Sequence, residues 1–295
     1  MSATRNVLDL ARIGLAKNRI ASYVGSTPLR PWNYLQKSLK FEAPIFLKLE
    51  SLQNTGAFKV RGAANKILAL IEEGKTPKHV VAASAGNHAQ AVAFVAGRLG
   101  IPTTIVMPQG SPLVKVSATQ DYGAKVVLSG LVYDEAYAKA QEILANTPGA
   151  VYVHAYEDED IICGQGTLGI EIHEQLSQMG VKDSKLQVVI PIGGGGLFSG
   201  TAIALRALRP ECSFYGVVSH AAPAMALSFQ KGEIVAPPPT RTRTLAEGLA
   251  VKKVSSLTFS LIKNLAKEIS VVDDEEISLA IALLMERGKL VTEGQ

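Results

Sequence analysis

The feature that most constrains the fold of this 295-residue chain is an alternation of two kinds of segment. Short apolar runs rich in β-branched residues are separated by longer segments with helical spacing, as in 87–99, 112–122 and 133–146. The runs are HVVAA (79–83), TTIVM (103–107), KVVL (125–128), VYVH (151–154), QVVIPI (187–192), SFYGVV (213–218) and ISVV (269–272). Strands that alternate with helices predict parallel sheets covered by helices on both faces.

The runs form two series, which are joined near residues 156–166. We therefore expect two α/β domains with a cleft between them. Outside the two series, apolar spacing predicts an opening helix over 7–17, and Ser-Thr-Pro-Leu at 26–29 predicts a turn. Acidic residues at 273–276 predict a helix cap.

Composition and charge exclude several classes of protein. Hydrophobic residues make up 47% of the chain and charged residues 19%, which excludes global disorder. The net charge is +4 without a dense basic block, so a nucleic-acid partner is not expected. Residues 186–205 carry no charge, but four consecutive glycines at 193–196 are incompatible with a membrane-spanning helix.

The cysteines and the N-terminal segment bear on the compartment. Cys163 and Cys212 lie far apart, and neither belongs to a CxxC pair or has a histidine at metal-ligand spacing. The segment MSATRNVLDLARIGLAKNRI is charged throughout and lacks the apolar core of a signal peptide. We expect a cytoplasmic protein with no membrane partner and no structural metal site.

The first segment that could take part in catalysis or binding is Lys48 to Gly62, KLESLQNTGAFKVRG. The pattern predicts a strand, a polar turn and a helix that begins near Ala57, which places Lys59 in the first helical turn. The positive end of the helix dipole disfavours a cation there, which would lower the pKa of the amine and make it more nucleophilic. On position alone, a surface lysine explains the pattern better.

A second segment, ASAGNHAQ (83–90), follows a buried strand and opens a helix. Small residues let backbone N–H groups approach a ligand closely, and a helix N-terminus favours an anion such as a carboxylate. The alternative is an ordinary loop in which Ser84 or Asn87 caps the helix. A lone histidine such as His88 is more often structural than catalytic.

A third segment, PIGGGGL (191–197), joins a strand to a helix. Consecutive glycines can expose several N–H groups to one phosphate. The segment lacks the Lys-Ser/Thr of a P-loop and the GxGxxG spacing of a dinucleotide site, so it does not indicate nucleotide chemistry.

Together and in this order, TGAFKVRGA, SAGNHAQ and PIGGGGL resemble the threonine dehydratases among the tryptophan-synthase-β-like enzymes, which use pyridoxal 5′-phosphate (PLP). The resemblance runs from about Thr27 to the end of the chain and includes GQGT (164–167), AEGLA (246–250) and VTEG (291–294). It implies a two-domain α/β fold of PLP fold type II. The larger domain would comprise residues 1–54 and 156–295, and the smaller one residues 55–155.

The resemblance also implies roles for individual residues. Lys59 matches the lysine that forms the Schiff base with PLP and moves the α-proton, and Phe58 matches the residue beside the cofactor ring. Asn87 matches the side chain that binds the 3′-oxygen of PLP. The matches to the phosphate cradle are Gly193, Gly194, Gly195, Gly196 and Leu197. The matches to the loop that binds the substrate carboxylate are Ser84, Ala85, Gly86, Asn87 and His88.

The implied activity is the conversion of L-threonine to 2-oxobutanoate and ammonia, and of L-serine to pyruvate. The implied assembly is a homodimer or homotetramer. Serine racemases are also similar, but they carry a serine, which transfers a proton, where this chain has Ala85. They bind a divalent cation through carboxylates near the segment at 216–230, which contains no Asp or Glu here, so we expect no metal site.

The sequence departs from the family pattern after Gly294. Relatives continue with a small-residue helix, a strand and a Ser/Cys-Gly-Gly-Asn-like motif that faces the pyridine nitrogen, whereas this sequence stops at Gln295. We therefore expect a chain that is shortened or lacks this partner. The alternative to a working dehydratase is a PLP-binding protein with little or no catalysis.

Overall fold

A computed structural model describes residues 8–181, 185–236 and 244–294. In chain order the helices and strands are α1 (Leu10–Ile20), β1 (Leu29–Pro31), α2 (Asn33–Ser38), β2 (Phe46–Lys48), α3 (Lys59–Glu72), β3 (His79–Ala83), α4 (Asn87–Arg98), β4 (Thr103–Met107), α5 (Leu113–Asp121), β5 (Lys125–Leu128), α6 (Tyr133–Ala145), β6 (Ala150–Tyr152), α7 (Glu159–Gln178), β7 (Gln187–Pro191), α8 (Gly196–Leu208), β8 (Ser213–Ser219), α9 (Ala224–Lys231), α10 (Ser256–Leu265), β9 (Ala266–Val272) and α11 (Asp274–Leu283).

Two parallel sheets organise the described part of the chain. One has the strand order β5-β4-β3-β6, and the other has the order β7-β8-β9. The strands alternate with helices along the chain, because each parallel crossover needs a long connection. Both sheets were predicted from the apolar runs, and the parallel α/β class is confirmed.

Each sheet has its own hydrophobic cluster. Buried side chains of β3 and β4 pack with those of α3 and α4, including Val80, Ile105, Ile67 and Val92. The second cluster joins β7 and β8 to α7, α8 and α10, including Ile190, Phe214, Leu205 and Ile262. Short loops connect the carboxyl end of β3 to α4 and that of β7 to α8, and ligands bind at such strand ends in parallel α/β sheets.

Glycines allow α7 to pack closely against its neighbours. A Cβ added at Gly164 would lie 2.5 Å from the Arg61 carbonyl oxygen of α3, and one added at Gly200 of α8 would lie 2.2 Å from the Ile162 carbonyl oxygen. The GQGT motif at 164–167 thus has a packing role: it brings the backbones of α3, α7 and α8 together behind the N-terminus of α3.

Two local predictions need correction. The opening helix spans Leu10–Ile20 instead of 7–17. Its start is fixed by the Asp9 side chain, which accepts a hydrogen bond of 3.0 Å from the Arg12 amide. Val7 lies outside the described residues. The turn predicted at 26–29 is wrong at Leu29, which begins β1 and pairs with Lys48 of β2 in an antiparallel ribbon. The predicted cap at Asp273 is confirmed as a capping box with Glu276.

No helix in the described segments is both long enough and apolar enough to cross a lipid bilayer.

Candidate active site

The amine of Lys59 lies where the sequence placed it, on the first residue of α3. Its Nζ donates a hydrogen bond of 3.2 Å to the Ala155 carbonyl oxygen and lies 5.2 Å from the centroid of the Phe58 ring. Burial lowers the pKa of the Lys59 amine to about 8. The predicted direction of the shift is therefore correct, and the structure assigns it to desolvation.

The glycine loop connects β7 to α8. Gly195 precedes the first residue of the helix and has a φ of +89°, a backbone conformation that residues other than glycine rarely adopt. A Cβ on Gly194 would lie 2.1 Å from Cγ of Tyr156, so the tyrosine ring packs directly on this loop. Only glycine fits at these two positions.

The first turn of α8 lies directly after the glycine loop. The N–H groups of the first turn, which begins at Gly196 and Leu197, have no acceptor within the helix, and the positive end of the helix dipole is there. These N–H groups could donate to a phosphate group, which is the role that the family resemblance implies for the loop.

The loop after β3 also opens a helix. Ser84 Oγ accepts a hydrogen bond of 3.2 Å from the Gly86 amide, and α4 begins at Asn87. Residues 84–87 are partly exposed, and the small side chain of Ala85 leaves the backbone accessible. This end of α4 is suited to a carboxylate.

His88 differs from its four neighbours in the loop. Its side chain is buried, and Nε2 donates a hydrogen bond of 2.9 Å to the Val153 carbonyl oxygen. Burial, together with the charge of Lys59, lowers the pKa of His88 to about 3, so the imidazole is neutral. Its expected contribution to substrate binding therefore rests on its main-chain N–H.

Asn87 has a partner that the sequence did not suggest. Its Nδ2 donates a hydrogen bond of 2.6 Å to Glu293 Oε2. Lys115 of α5 lies 3.6 Å from Glu293 Oε1 and 3.5 Å from Glu247 Oε2. The motifs that contain Glu247 and Glu293 were noted as family features, but Lys115 belongs to no motif, and only the fold brings it here.

Ala155 and Tyr156 were also missed by sequence reasoning. One contributes a carbonyl oxygen to Lys59, and the other places an aromatic ring on Gly194. A backbone acceptor leaves no trace in the residue type, so no sequence signal could have identified Ala155. Over residues 8–181, 185–236 and 244–294, no group of three or more His, Cys, Asp or Glu is placed to hold a metal ion.

The site thus combines a desolvated amine, a helix start with small residues before it, and a glycine loop at the start of a second helix. The family described as "Pyridoxal-phosphate dependent enzyme" matches residues 20–295. The chain belongs to this family. The predicted cofactor, PLP, is the one that defines it.

Individual proteins similar to this chain indicate which members of the family it resembles. The chain is 47% identical over 288 residues to the L-threonine ammonia-lyase of Geobacter sulfurreducens, a match that covers 98% of this chain and 69% of that protein. A solved structure of the threonine deaminase of T.th. has a TM-score of 0.89 at 36% identity, with 97% of this chain and 89% of that one covered. Maize serine racemase has a TM-score of 0.88 at 35% identity, with 97% and 83% covered. The predicted resemblance to the threonine dehydratases is confirmed.

The residues present fit PLP at its phosphate and at its aldehyde. The glycine loop at 193–196 would present the helix N–H groups to the phosphate, and it has no side chains that would compete with it. The Lys59 amine provides a nucleophile with a lowered pKa.

Proposed function

We propose that this chain catalyses the PLP-dependent deamination of L-threonine to 2-oxobutanoate and ammonia, and of L-serine to pyruvate. The observation that carries the proposal is the Lys59 amine, which burial holds at a pKa of about 8 beside the turn that packs on the glycine loop. Threonine as the substrate is supported by two similar proteins, which are described as a threonine ammonia-lyase and a threonine deaminase.

The proposed roles follow the chemistry of each group. Lys59 binds PLP covalently, Phe58 lies beside its ring, and Asn87 donates to its 3′-oxygen. The phosphate is held by Gly193, Gly194, Gly195, Gly196 and Leu197. The substrate carboxylate is held by Ser84, Ala85, Gly86, Asn87 and the main chain of His88.

Bound PLP supplies an electron sink that makes the Cα–H bond of an attached amino acid acidic. The protein supplies the base: Lys59, with a pKa of about 8, has a useful neutral fraction near pH 7 and can accept a proton at Nζ. The helix N-terminus at Asn87 orients the carboxylate, and therefore the Cα–H bond, toward that amine. Loss of water from threonine, followed by hydrolysis that releases ammonia, gives the 2-oxo acid.

Racemisation of serine is a second candidate, favoured by the similarity to maize serine racemase. Inversion at Cα needs a proton donor on the second face of the substrate. Ala85 stands where serine racemases have a hydroxyl, and a methyl group cannot transfer a proton. Racemisation needs this donor and dehydration does not, so dehydration is the proposed reaction.

Further proposals concern the domain boundaries, the oligomeric state and the location in the cell. Each parallel sheet stays within one segment, which supports a smaller domain of residues 55–155 and a larger one of 1–54 and 156–295. We propose a homodimer or homotetramer, which rests on the family resemblance. A cytoplasmic location is supported by Cys163 and Cys212, which are buried and not joined in a disulfide.

The test is formation of 2-oxo acid from L-threonine by the purified chain with added PLP. We expect turnover that Lys59→Ala abolishes and that Lys75→Ala, a change on an exposed lysine, leaves intact. D-serine formation from L-serine is measured in parallel and is expected to be absent. A PLP spectrum that depends on Lys59 without any turnover would select the non-catalytic PLP-binding alternative.

A further inference from the structure

The turn after β6 joins the Lys59 amine to the glycine loop. Residues 153–158 lie between β6 and α7, adopt no helix or strand, and include the turn at 154–157. Within this turn, the Ala155 carbonyl oxygen accepts a hydrogen bond from Lys59, and the Tyr156 ring fills the space above Gly194. The conformation of one short turn therefore sets the position of both groups.

One ring nitrogen of His154 holds this turn. Nδ1 accepts hydrogen bonds from the amides of Tyr156 (3.2 Å) and Glu157 (2.9 Å). These amides lie two and three residues further along the chain, which is the pattern that an Asn or Asp side chain makes in an Asx turn. Because both partners are N–H donors, Nδ1 carries no proton and the proton of the neutral ring is on Nε2.

The surroundings of His154 keep the ring in place. Its centroid lies 4.8 Å from that of Tyr156 and 6.1 Å from that of Tyr152, both edge-on, and Nε2 lies 4.0 Å from Glu157 Oε2.

The charges that face His154 act in both directions. Burial lowers the pKa of His154, as do the charges of Lys59 and Lys253, while Glu157 and Asp158 act in the opposite direction. The net shift keeps the ring neutral at neutral pH, as an acceptor at Nδ1 requires.

We propose that His154 is a positioning residue: its Nδ1 fixes the 154–157 turn and thereby holds the Ala155 carbonyl oxygen against the Lys59 amine and Tyr156 against the glycine loop. The proposal rests on the proposed role of Lys59 as the lysine that binds PLP. His154 acts through the backbone and needs no contact with the cofactor. The required property is an acceptor at the position of Nδ1, which an imidazole and a carboxamide can both supply.

The experiment compares His154→Asn, which keeps an acceptor for the same two amides, with His154→Leu, which removes it. Apo-protein is mixed with PLP, the covalent bond is fixed by borohydride at timed intervals, and peptide mass spectrometry follows modification of Lys59. We expect His154→Leu to slow the modification about 10-fold or more and His154→Asn to stay within about 3-fold of wild type. His79→Leu, which removes another partly buried imidazole with one hydrogen bond to Thr104, is the matched control and is expected to have no effect.

Equal rates of Lys59 modification in His154→Leu and wild type would overturn the proposal. Modification as slow in His154→Asn as in His154→Leu would also overturn it, because the imidazole ring itself, and not an acceptor for the two amides, would then be required. If His154→Leu does not fold, the imidazole 15N chemical shifts of the wild-type chain decide: a proton on Nδ1 at pH 7.5 overturns the proposal. If PLP is fixed on another lysine in wild type, the proposed function fails together with this inference. A normal Lys59 adduct in every variant defeats the inference alone.

Discussion

The side chains of Asn87 and Glu293, 206 positions apart, are joined by a hydrogen bond of 2.6 Å from Nδ2 to Oε2. The bond ties the start of α4 to the last described segment of the chain. A carboxamide has two N–H hydrogens, so one remains for a second acceptor such as the 3′-oxygen of PLP. Glu293 therefore orients the amide that we expect to bind the cofactor.

We predict that Glu293→Ala weakens PLP binding about 3- to 10-fold, because the Asn87 amide loses the partner that orients it. Glu293→Gln keeps a carbonyl acceptor and is expected to stay within about 2-fold of wild type. The dissociation constant is measured by fluorescence titration of the apo-protein. Glu142→Ala, on the exposed face of α6, is the control; wild-type affinity in Glu293→Ala would contradict the prediction.

Gly194 should tolerate no side chain while Tyr156 is in place. A Cβ there would lie 2.1 Å from Tyr156 Cγ, so we predict that Gly194→Ala lowers PLP affinity about 10-fold or more. Tyr156→Ala removes the clash. Adding Gly194→Ala to Tyr156→Ala should therefore lower PLP affinity by a smaller factor than Gly194→Ala does in the wild-type chain. Gly110→Ala is the control, since a Cβ at that position meets nothing within 4 Å. Strictly additive effects in the double variant would refute the contact.

Acid should destabilise the chain through His88. Its pKa is about 3 when folded and about 6.5 when unfolded, so between these values the unfolded chain binds a proton that the native one does not. Stability therefore falls as the pH drops from 6.5 toward 3, by about 2 kcal/mol between pH 7 and pH 5. In urea unfolding, His88→Gln, which keeps a donor for Val153 but does not titrate, should lose about 2 kcal/mol less than wild type over this interval. Identical pH dependence of the two proteins would show that His88 is not the group involved.

Behind the site, the buried guanidinium of Arg61 anchors the first turn of α3. Nε and Nη2 each bind the Glu50 carboxylate at 2.8 Å, and Nη2 also lies 3.0 Å from Glu171. Arg61→Met would leave two carboxylates without this partner, at a predicted cost of about 3–5 kcal/mol in the free energy of unfolding. Lys139→Met, which breaks an exposed ion pair with Glu142, should change it by about 0.5 kcal/mol or less. A cost for Arg61→Met as small as that of the control would contradict the assignment.

The elements with strong local signals could be predicted from the sequence. The bounds of β3, β4 and β5 coincide with three apolar runs, because β-branched residues in short runs between turn residues favour buried strands. The placement of Lys59 in the first turn of α3 was also predictable.

What could not be predicted depends on pairing across the fold. The β1–β2 ribbon is formed by pairing between distant segments, Leu29–Pro31 with Phe46–Lys48, and residues 26–29 by themselves indicate a turn. The bond from Lys59 to Ala155 and the two amides held by His154 involve backbone atoms, whose roles leave no mark in the residue type. The sequence predicted the direction of the Lys59 pKa shift from the helix dipole, but its cause, desolvation, is visible only in the packed structure.

Every role proposed for the site depends on Lys59 being the lysine to which PLP binds covalently. The most direct test is borohydride reduction of the PLP-loaded chain followed by peptide mass spectrometry, with and without L-threonine added before reduction. We predict one cofactor per chain on the peptide that contains Lys59, less of it when L-threonine is present, and none in Lys59→Ala. Cofactor fixed on a different lysine, or retained in Lys59→Ala, would contradict this assignment.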